Sequence, residues 1–423
     1  MSAGIFFTFN LGIPYLRHPR VTARVLFGGG RSRSGGESPL RSLCLALAGT
    51  LGVGNIVGVS AAIVMGGAGA VFWMWVSALA AMILKYAEIV LCMRHRKVDG
   101  KGGTRGSASF YIKAVFEKLG MRRLGTALAC IFSLLCVLES VSMGGMIQSE
   151  AAAGALENAF GLPLWLTGLL LGALTFLVIR GGKVGIVRVT DRLVPLMTLG
   201  YVVVSLAVII LGWHDLPHVF YRIFREAFTP RAAAGGAVFT GIRYGVMRGL
   251  VSNEAGCGTA PMAHGISGGR AAEQGLFGVA EVFVDTVLLC SLTALTVLLR
   301  DNYKGVSDGD FIGVTVDAYS YFLGRGAEYF MGVSVLLFGF ATVICWGHFG
   351  VESIYCLFGE KRKRAADLFT AVYSIAVMVG ATSASLSLWR VADLAIGGMT
   401  LINLIALVLA RRQIRDETRS FFG

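Results

Sequence analysis

Two long apolar runs of this chain are interrupted by glycine clusters, and the interruptions lie about two hundred residues apart. The first reads Leu47-Ala48-Gly49-Thr50-Leu51-Gly52-Val53-Gly54-Asn55-Ile56, the second Ser252-Asn253-Glu254-Ala255-Gly256-Cys257-Gly258-Thr259-Ala260-Pro261. In hydrocarbon no water satisfies freed backbone N–H and C=O groups, so unwound chain at membrane depth survives only where it lines a protein or solvent cavity. Paired interruptions of this kind, at matching places in two halves, point to the binding site of a secondary transporter.

That reading requires a membrane protein, and the composition agrees. Of 423 residues, 55% are hydrophobic and 15% charged, with a mean hydropathy of +0.70, too apolar for a water-soluble globule. The net charge of +13 sits in short basic blocks between apolar spans. No Lys/Arg stripe with interleaved aromatics is present, which argues against a nucleic-acid partner. The eight cysteines form no CxxC pair and fall mostly within apolar runs, as packing residues. Residues Gly4 to Leu16 lack the flanks and cleavage site of a signal peptide and read as the tail of a membrane helix whose beginning is missing.

With about 20 apolar residues per span as the template, ten segments emerge: 43–66, 70–93, 125–149, 163–180, 190–212, 233–251, 275–299, 329–357, 367–388 and 391–410. The expected fold is an all-α integral membrane protein in which two sets of five spans form an inverted repeat, with the first span of each set broken. The corresponding units are a leading helix and basic segment (1–42), a first repeat (43–212), a connection (213–232), a second repeat (233–410) and a tail (411–423). Lys and Arg concentrate in the segments at 17–41, 94–123, 180–192, 361–364 and 411–412. That excess places residue 41 and the C-terminus in the cytoplasm.

At the first break Gly49, Gly52, Gly54 and Gly58 let the backbone leave helical geometry. Freed N–H groups opening the next half-helix favour a carboxylate, and carbonyls closing the previous one are hard ligands for a small cation. Thr50 and Asn55 add side-chain oxygens. The second break repeats this and adds Glu254, with two open roles: contacting a ligand, or tying loose N–H groups or an arginine (Arg243, Arg248). The third span carries Glu139, Gln148 and Glu150; the eighth carries Thr342 and Trp346, four apart and therefore on one helix face. Lys85 and Glu88, three apart, are expected to neutralise each other. Gly100-Lys101-Gly102-Gly103-Thr104 lacks the spacing of a phosphate loop, and no nucleophile elbow or HExxH occurs. His264 and His348 stand singly, which does not make a metal site. The chain reads as no enzyme.

These residues resemble a known family. Ala48-Gly49-Thr50 through Gly54-Asn55-Ile56-Val57-Gly58-Val59, Gly69-Ala70-Val71-Phe72-Trp73-Met74-Trp75-Val76 with Lys85-Tyr86-Ala87-Glu88, and Arg248-Gly249-Leu250-Val251-Ser252-Asn253-Glu254-Ala255-Gly256 through Ala260-Pro261-Met262-Ala263-His264 are the specific matches. Ala227-Phe228-Thr229-Pro230 with Gly235-Gly236 and Glu281-Val282-Phe283-Val284-Asp285-Thr286 add to them. The chain is similar to the alanine/glycine:cation symporters, also called sodium:alanine symporters. The resemblance implies import of alanine and glycine with Na+ or H+ as coupling ion and no other cofactor. It implies substrate contacts at Thr50, Gly52, Gly54, Asn55, Gln148, Asn253, Gly256, Gly258, Thr259, Thr342 and Trp346, and a Na+ site at Gly49, Val53 and Thr342. The chain departs from the family's pattern at Val53, Gly145, Glu150, Cys257, Ala341 and the segment Gly106 to Tyr111. The resemblance therefore leaves both coupling ions open. Its partners are the substrate, the ion and the bilayer. The rival classes are a passive channel, a membrane-embedded enzyme, or a transport-deficient amino-acid sensor derived from this family.

Overall fold

The computed structural model describes residues 1–28, 36–98, 103–228, 238–303, 311–359, 363–383 and 386–423. Gly100 to Gly102, Thr229 and Pro230, Gly235 and Gly236, Lys361 and Arg362, and the expected boundary at 232/233 lie outside the described residues.

The described chain is nearly all helical. Three short helices open it: α1 (Ser2–Leu11), α2 (Pro14–Arg17) and α3 (Pro19–Phe27). Next come α4 (Pro39–Thr50), a 3-10 turn over Val53–Asn55, α5 (Val57–Gly66) and α6 (Gly69–His95). A two-residue antiparallel ribbon, β1 (Lys97–Val98) with β2 (Thr104–Arg105), leads to α7 (Ala108–Lys118). The third apolar run is one long helix, α8 (Arg122–Glu139) and α9 (Gln148–Phe160) joined by a π-helical stretch over Ser140–Ile147. Then follow α10 (Leu164–Arg180), α11 (Gly182–Leu211), a 3-10 turn, α12 (Leu216–Phe228), α13 (Val238–Asn253) and the short α14 (Ala260–His264). A second long helix, α15 (Ala271–Val282) and α16 (Ser291–Arg300), also passes through a π stretch, Phe283–Cys290. The chain closes with α17 (Phe311–Leu323), α18 (Gly326–Phe358), α19 (Lys363–Gly380), α20 (Leu386–Leu409) and α21 (Arg411–Phe422).

Among the described residues six helices are long and apolar enough to cross a membrane, or seven if the pair Pro39–Thr50 and Val53–Gly66, bent by 67°, is one span. Helix α4 begins where Ser38 accepts the N–H of Arg41 at 3.3 Å and Pro39 occupies the first turn, both favourable at a helix start. Much of the glycine serves close packing. Helix α13 lies on α6 through Gly241, Gly245 and Gly249, spaced four apart. A Cβ at Gly245 would stand 2.3 Å from the Ala70 carbonyl oxygen, and one at Gly249 2.2 Å from Ser77 Oγ. Small residues at this spacing let backbones approach where lipid offers helices no hydrophobic drive to associate.

On the face of the bundle bearing α21, close backbone contacts join the segments around Glu37, Thr104 and Ile266, beside a cavity of about 580 Å³ lined in part by Arg96, Arg270 and Glu417. Glu37 N–H donates to the Ile266 carbonyl and Gly268 N–H to the Glu37 carbonyl, both at 2.9 Å. Thr104 Oγ1 donates to the same Ile266 carbonyl at 2.9 Å. Gly106 and Gly265 are pressed together, leaving no room for a Cβ on either. Toward the opposite face a cavity of about 230 Å³ opens between α9, α17 and α18, lined in part by Ala155, Ile312, Met331 and Val335.

Candidate functional site

At the first break α4 stops at Thr50, and Leu51 and Gly52 leave helical geometry before the 3-10 turn and α5. The freed N–H groups have found neutral side-chain oxygens. Gly52 N–H donates to Asn55 Oδ1 at 3.1 Å, and Val53 N–H to Gln148 Oε1 at 3.1 Å. Gln148 reaches the break because it sits directly after the π stretch, where a widened helical turn displaces the residues that follow. Thr342 Oγ1 lies 3.3 Å from the Leu51 carbonyl oxygen and 3.1 Å from that of Phe338. Gly52 is wedged between these partners, its absent Cβ 2.8 Å from Thr342 Oγ1 and 3.1 Å from Gln148 Oε1. A Cβ on Gly54, by contrast, would meet nothing within 4 Å. Gly49 packs on Cys345 and Phe349 of α18, and Thr50 Oγ1 donates to the Ala46 carbonyl at 3.4 Å. Trp346 lies against the π stretch, where a Cβ on Gly144 would clash with it at 2.3 Å, and its ring meets Phe349 edge-on at 5.5 Å.

The second break is built differently. Gly256 and Gly258 take positive φ of 90° and 83°, which turns their N–H groups into one concavity. That concavity already holds an anion. Glu88 of α6 accepts Gly256 N–H at 3.1 Å and Gly258 N–H at 2.9 Å, and Asn403 of α20 binds both Glu88 and the Gly256 carbonyl. The expectation that Gly256 and Gly258 present free N–H groups to a ligand is therefore corrected, because a protein carboxylate has taken the place. Their Cβ positions face Leu84 at 2.9 Å and Phe132 at 2.7 Å, not an opening. Asn253 turns to the Gly249 carbonyl at 2.6 Å and to Thr286 at 3.2 Å. Thr259 donates to Glu254 Oε2 at 2.7 Å. Thus Glu254 serves the structure through Thr259, and Glu88 ties the loose N–H groups.

With Glu88 so engaged, Lys85 does not neutralise it by direct pairing. Lys85 Nζ lies 3.0 Å from Glu281 of α15, both fully buried, and Glu281 also meets His264 Nε2 at 2.9 Å. The other nitrogen of that ring is 2.6 Å from Gln274 Nε2.

The two breaks meet at one residue that the motif reading singled out no role for. Asp285, in the second π stretch, accepts Asn55 Nδ2 at 2.7 Å, Ser252 Oγ at 2.8 Å and Thr286 Oγ1 at 2.7 Å. It links the first break, the end of α13 and the interior of the α15–α16 helix. An acidic residue in an apolar run is a functional signal by default, and that signal was available at Asp285.

An interior built from broken helices and buried, hydrogen-bonded carboxylates is the architecture of a membrane transporter. Among solved structures, a substrate-bound, outward-open Na+-coupled sialic acid symporter superposes with a TM-score of 0.61, at 11% identity, over 96% of this chain and 86% of that one. A manganese transporter of Eremococcus coleocola does so with 0.55, at 18% identity, over 86% and 76%. At such identities the likeness concerns the fold alone. The sequence goes further: residues 1–423 match the sodium:alanine symporter family, and the chain belongs to that family. The sodium/alanine symporter AgcS of Methanococcus maripaludis is 31% identical over all of this chain and 92% of its own length. A probable sodium/glutamine symporter, GlnT of Bacillus subtilis, is 33% identical over 99% of this chain and 87% of its own. The chain is thus a multi-pass membrane protein of an amino-acid symporter family.

Proposed function

We propose that this protein imports small neutral amino acids, alanine and glycine, into the cell by symport with Na+ or H+. In this reading ten spans form a five-plus-five inverted repeat that alternates access around the first break, with the C-terminus in the cytoplasm. The observation that carries it is the first break itself. Two backbone N–H groups rest on neutral oxygens, Gly52 on Asn55 and the Thr50 carbonyl and Val53 on Gln148, beside open space at Gly54. A substrate carboxylate replaces such oxygens without displacing a charge, and charged acceptors make the stronger bond to N–H donors. Thr342 Oγ1 beside the Leu51 carbonyl, with the carbonyls of Gly49 and Val53, supplies hard oxygens for the coupling ion. Relatives named for alanine and for glutamine support a neutral amino acid.

The test is uptake of labelled alanine into proteoliposomes under separate sodium and proton gradients, with unlabelled competitors. Glycine and serine are expected to compete strongly, lysine and glutamate weakly. Strong competition by a cationic or acidic amino acid, or no gradient-driven uptake, overturns the assignment.

A further inference from the structure

Glu139 is the last residue of α8 and leads directly into the π stretch that carries Gly144 and Gln148. It is fully buried, and among the described residues neither carboxylate oxygen has a hydrogen-bond partner. The neighbouring hydroxyls are committed elsewhere: Ser140 Oγ donates to the Cys136 carbonyl at 2.7 Å and Ser142 Oγ to the Leu138 carbonyl at 2.9 Å. The charged groups that act on Glu139 are Glu254 of the second break and Asp393 of α20, both acidic, with Cys136 on its own helix. Lys85 pairs with Glu281 at 3.0 Å. Other interior carboxylates differ. Glu88, Glu281 and Asp285 each have two or more polar partners, and Glu254 has Thr259.

An ionised carboxylate without donors in an apolar interior is prohibitively costly, whereas the neutral acid is tolerated.

We propose that Glu139 is a proton-binding site of the transport cycle, occupied when the carboxyl is enclosed as seen here and emptied when the π stretch shifts and water reaches it. The step is a simple transfer: hydronium gives its proton to the carboxylate, leaving water, and water takes it back on the other side. Because the same π stretch holds Trp346 and presents Gln148 to Val53, the charge on Glu139 bears on the first break. The proposal rests on the transport reading above and deepens it by assigning the proton a residue.

Two measurements test it. The infrared difference spectrum of purified wild-type protein minus Glu139→Gln, near neutral pH, is expected to show a protonated carboxyl C=O band. In proteoliposomes at equal sodium, an acid-outside gradient is expected to accelerate wild-type alanine uptake several-fold, Glu139→Asp partly, and Glu139→Gln not at all. An ionised-carboxylate band, or a gradient response that survives in Glu139→Gln, overturns the proposal. So does a wild-type protein that transports alanine with no gradient response. A protonated band in a protein that moves no alanine instead fails the transport reading and leaves the proton site standing.

Discussion

Both breaks are built around clustered glycines, yet their freed N–H groups meet different acceptors, neutral oxygens at the first and a carboxylate at the second. At the first, Gly52 and Val53 donate to amide oxygens that carry no charge, and nothing stands beside Gly54. At the second, Gly256 and Gly258 donate to Glu88, which Asn403 braces from α20. Unwound backbone is an anion site in both cases. What differs is whether the protein supplies the anion itself. Where it does, the break is a joint that ties α6 and α20 to the chain following α13; where it does not, the N–H groups rest on neutral oxygens.

The largest effect follows from removing the internal anion. Glu88→Ala leaves the buried N–H groups of Gly256 and Gly258 without their acceptor and takes one of two from the Asn403 amide. Each buried donor left unmet costs about 1–3 kcal/mol, so the two together take a large share of a typical folding free energy. Little monodisperse protein is expected on size exclusion after detergent extraction. A full yield of stable Glu88→Ala would show that the second break needs no internal anion.

The next largest separates the breaks directly. Gly256→Val forces a β-branched residue to φ of 90° with Leu84 2.9 Å from its Cβ, so loss of folded protein is expected. Gly54→Val has room for its Cβ and lacks a positive φ, so the protein should fold in normal amount while alanine uptake falls to background as the side chain fills the ligand's space. If both variants lose folding alike, or Gly54→Val transports normally, the contrast between the breaks fails.

The breaks themselves could be located from sequence because a glycine cluster in an apolar run is a local signal, and helices cover the apolar runs with ends shifted by several residues. Their different furnishing could not. Glu88 and Gly256 are 168 positions apart in the chain, and no local rule pairs them. Local spacing in fact misled at Lys85: it suggested Glu88 three residues on, whereas the tertiary fold presents Glu281 at 3.0 Å. Nor do apolar periodicities betray the π stretches, whose wider turns place Gln148 and Asp285 where they act. Asp285 was visible only as an acid among aliphatics, and its junction role arises from Asn55 and Ser252 converging on it.

A smaller effect tests the neutral side of the first break. Gln148→Ala removes the acceptor of Val53 N–H, and a buried donor left unmet costs about 1–3 kcal/mol. Folding should survive, since a cost of this size is a fraction of a typical folding free energy. The cost falls on the empty site and the ligand relieves it, so the concentration of alanine giving half-maximal uptake should fall by about tenfold, within the range that such a cost implies. An unchanged value, with uptake normalised to folded protein, would remove Gln148 from the site.

The smallest expected effect distinguishes ion from substrate within the first break. Thr342→Ala deletes one hydroxyl beside the Leu51 carbonyl and leaves every backbone oxygen in place. Ala341 contributes no side-chain oxygen to compensate. A neutral hydrogen-bonding group is worth about 1 kcal/mol, equivalent to roughly a fivefold shift in a binding constant. Sodium titrations of alanine uptake should show a half-saturating sodium concentration several-fold higher, while at saturating sodium the alanine dependence moves little. A wild-type sodium curve in this variant would place the ion away from Thr342 or leave the proton as the coupling ion, and a shift in alanine dependence alone would make the hydroxyl a substrate contact. Either result would redraw the first break as a place where one ligand, not two, is held.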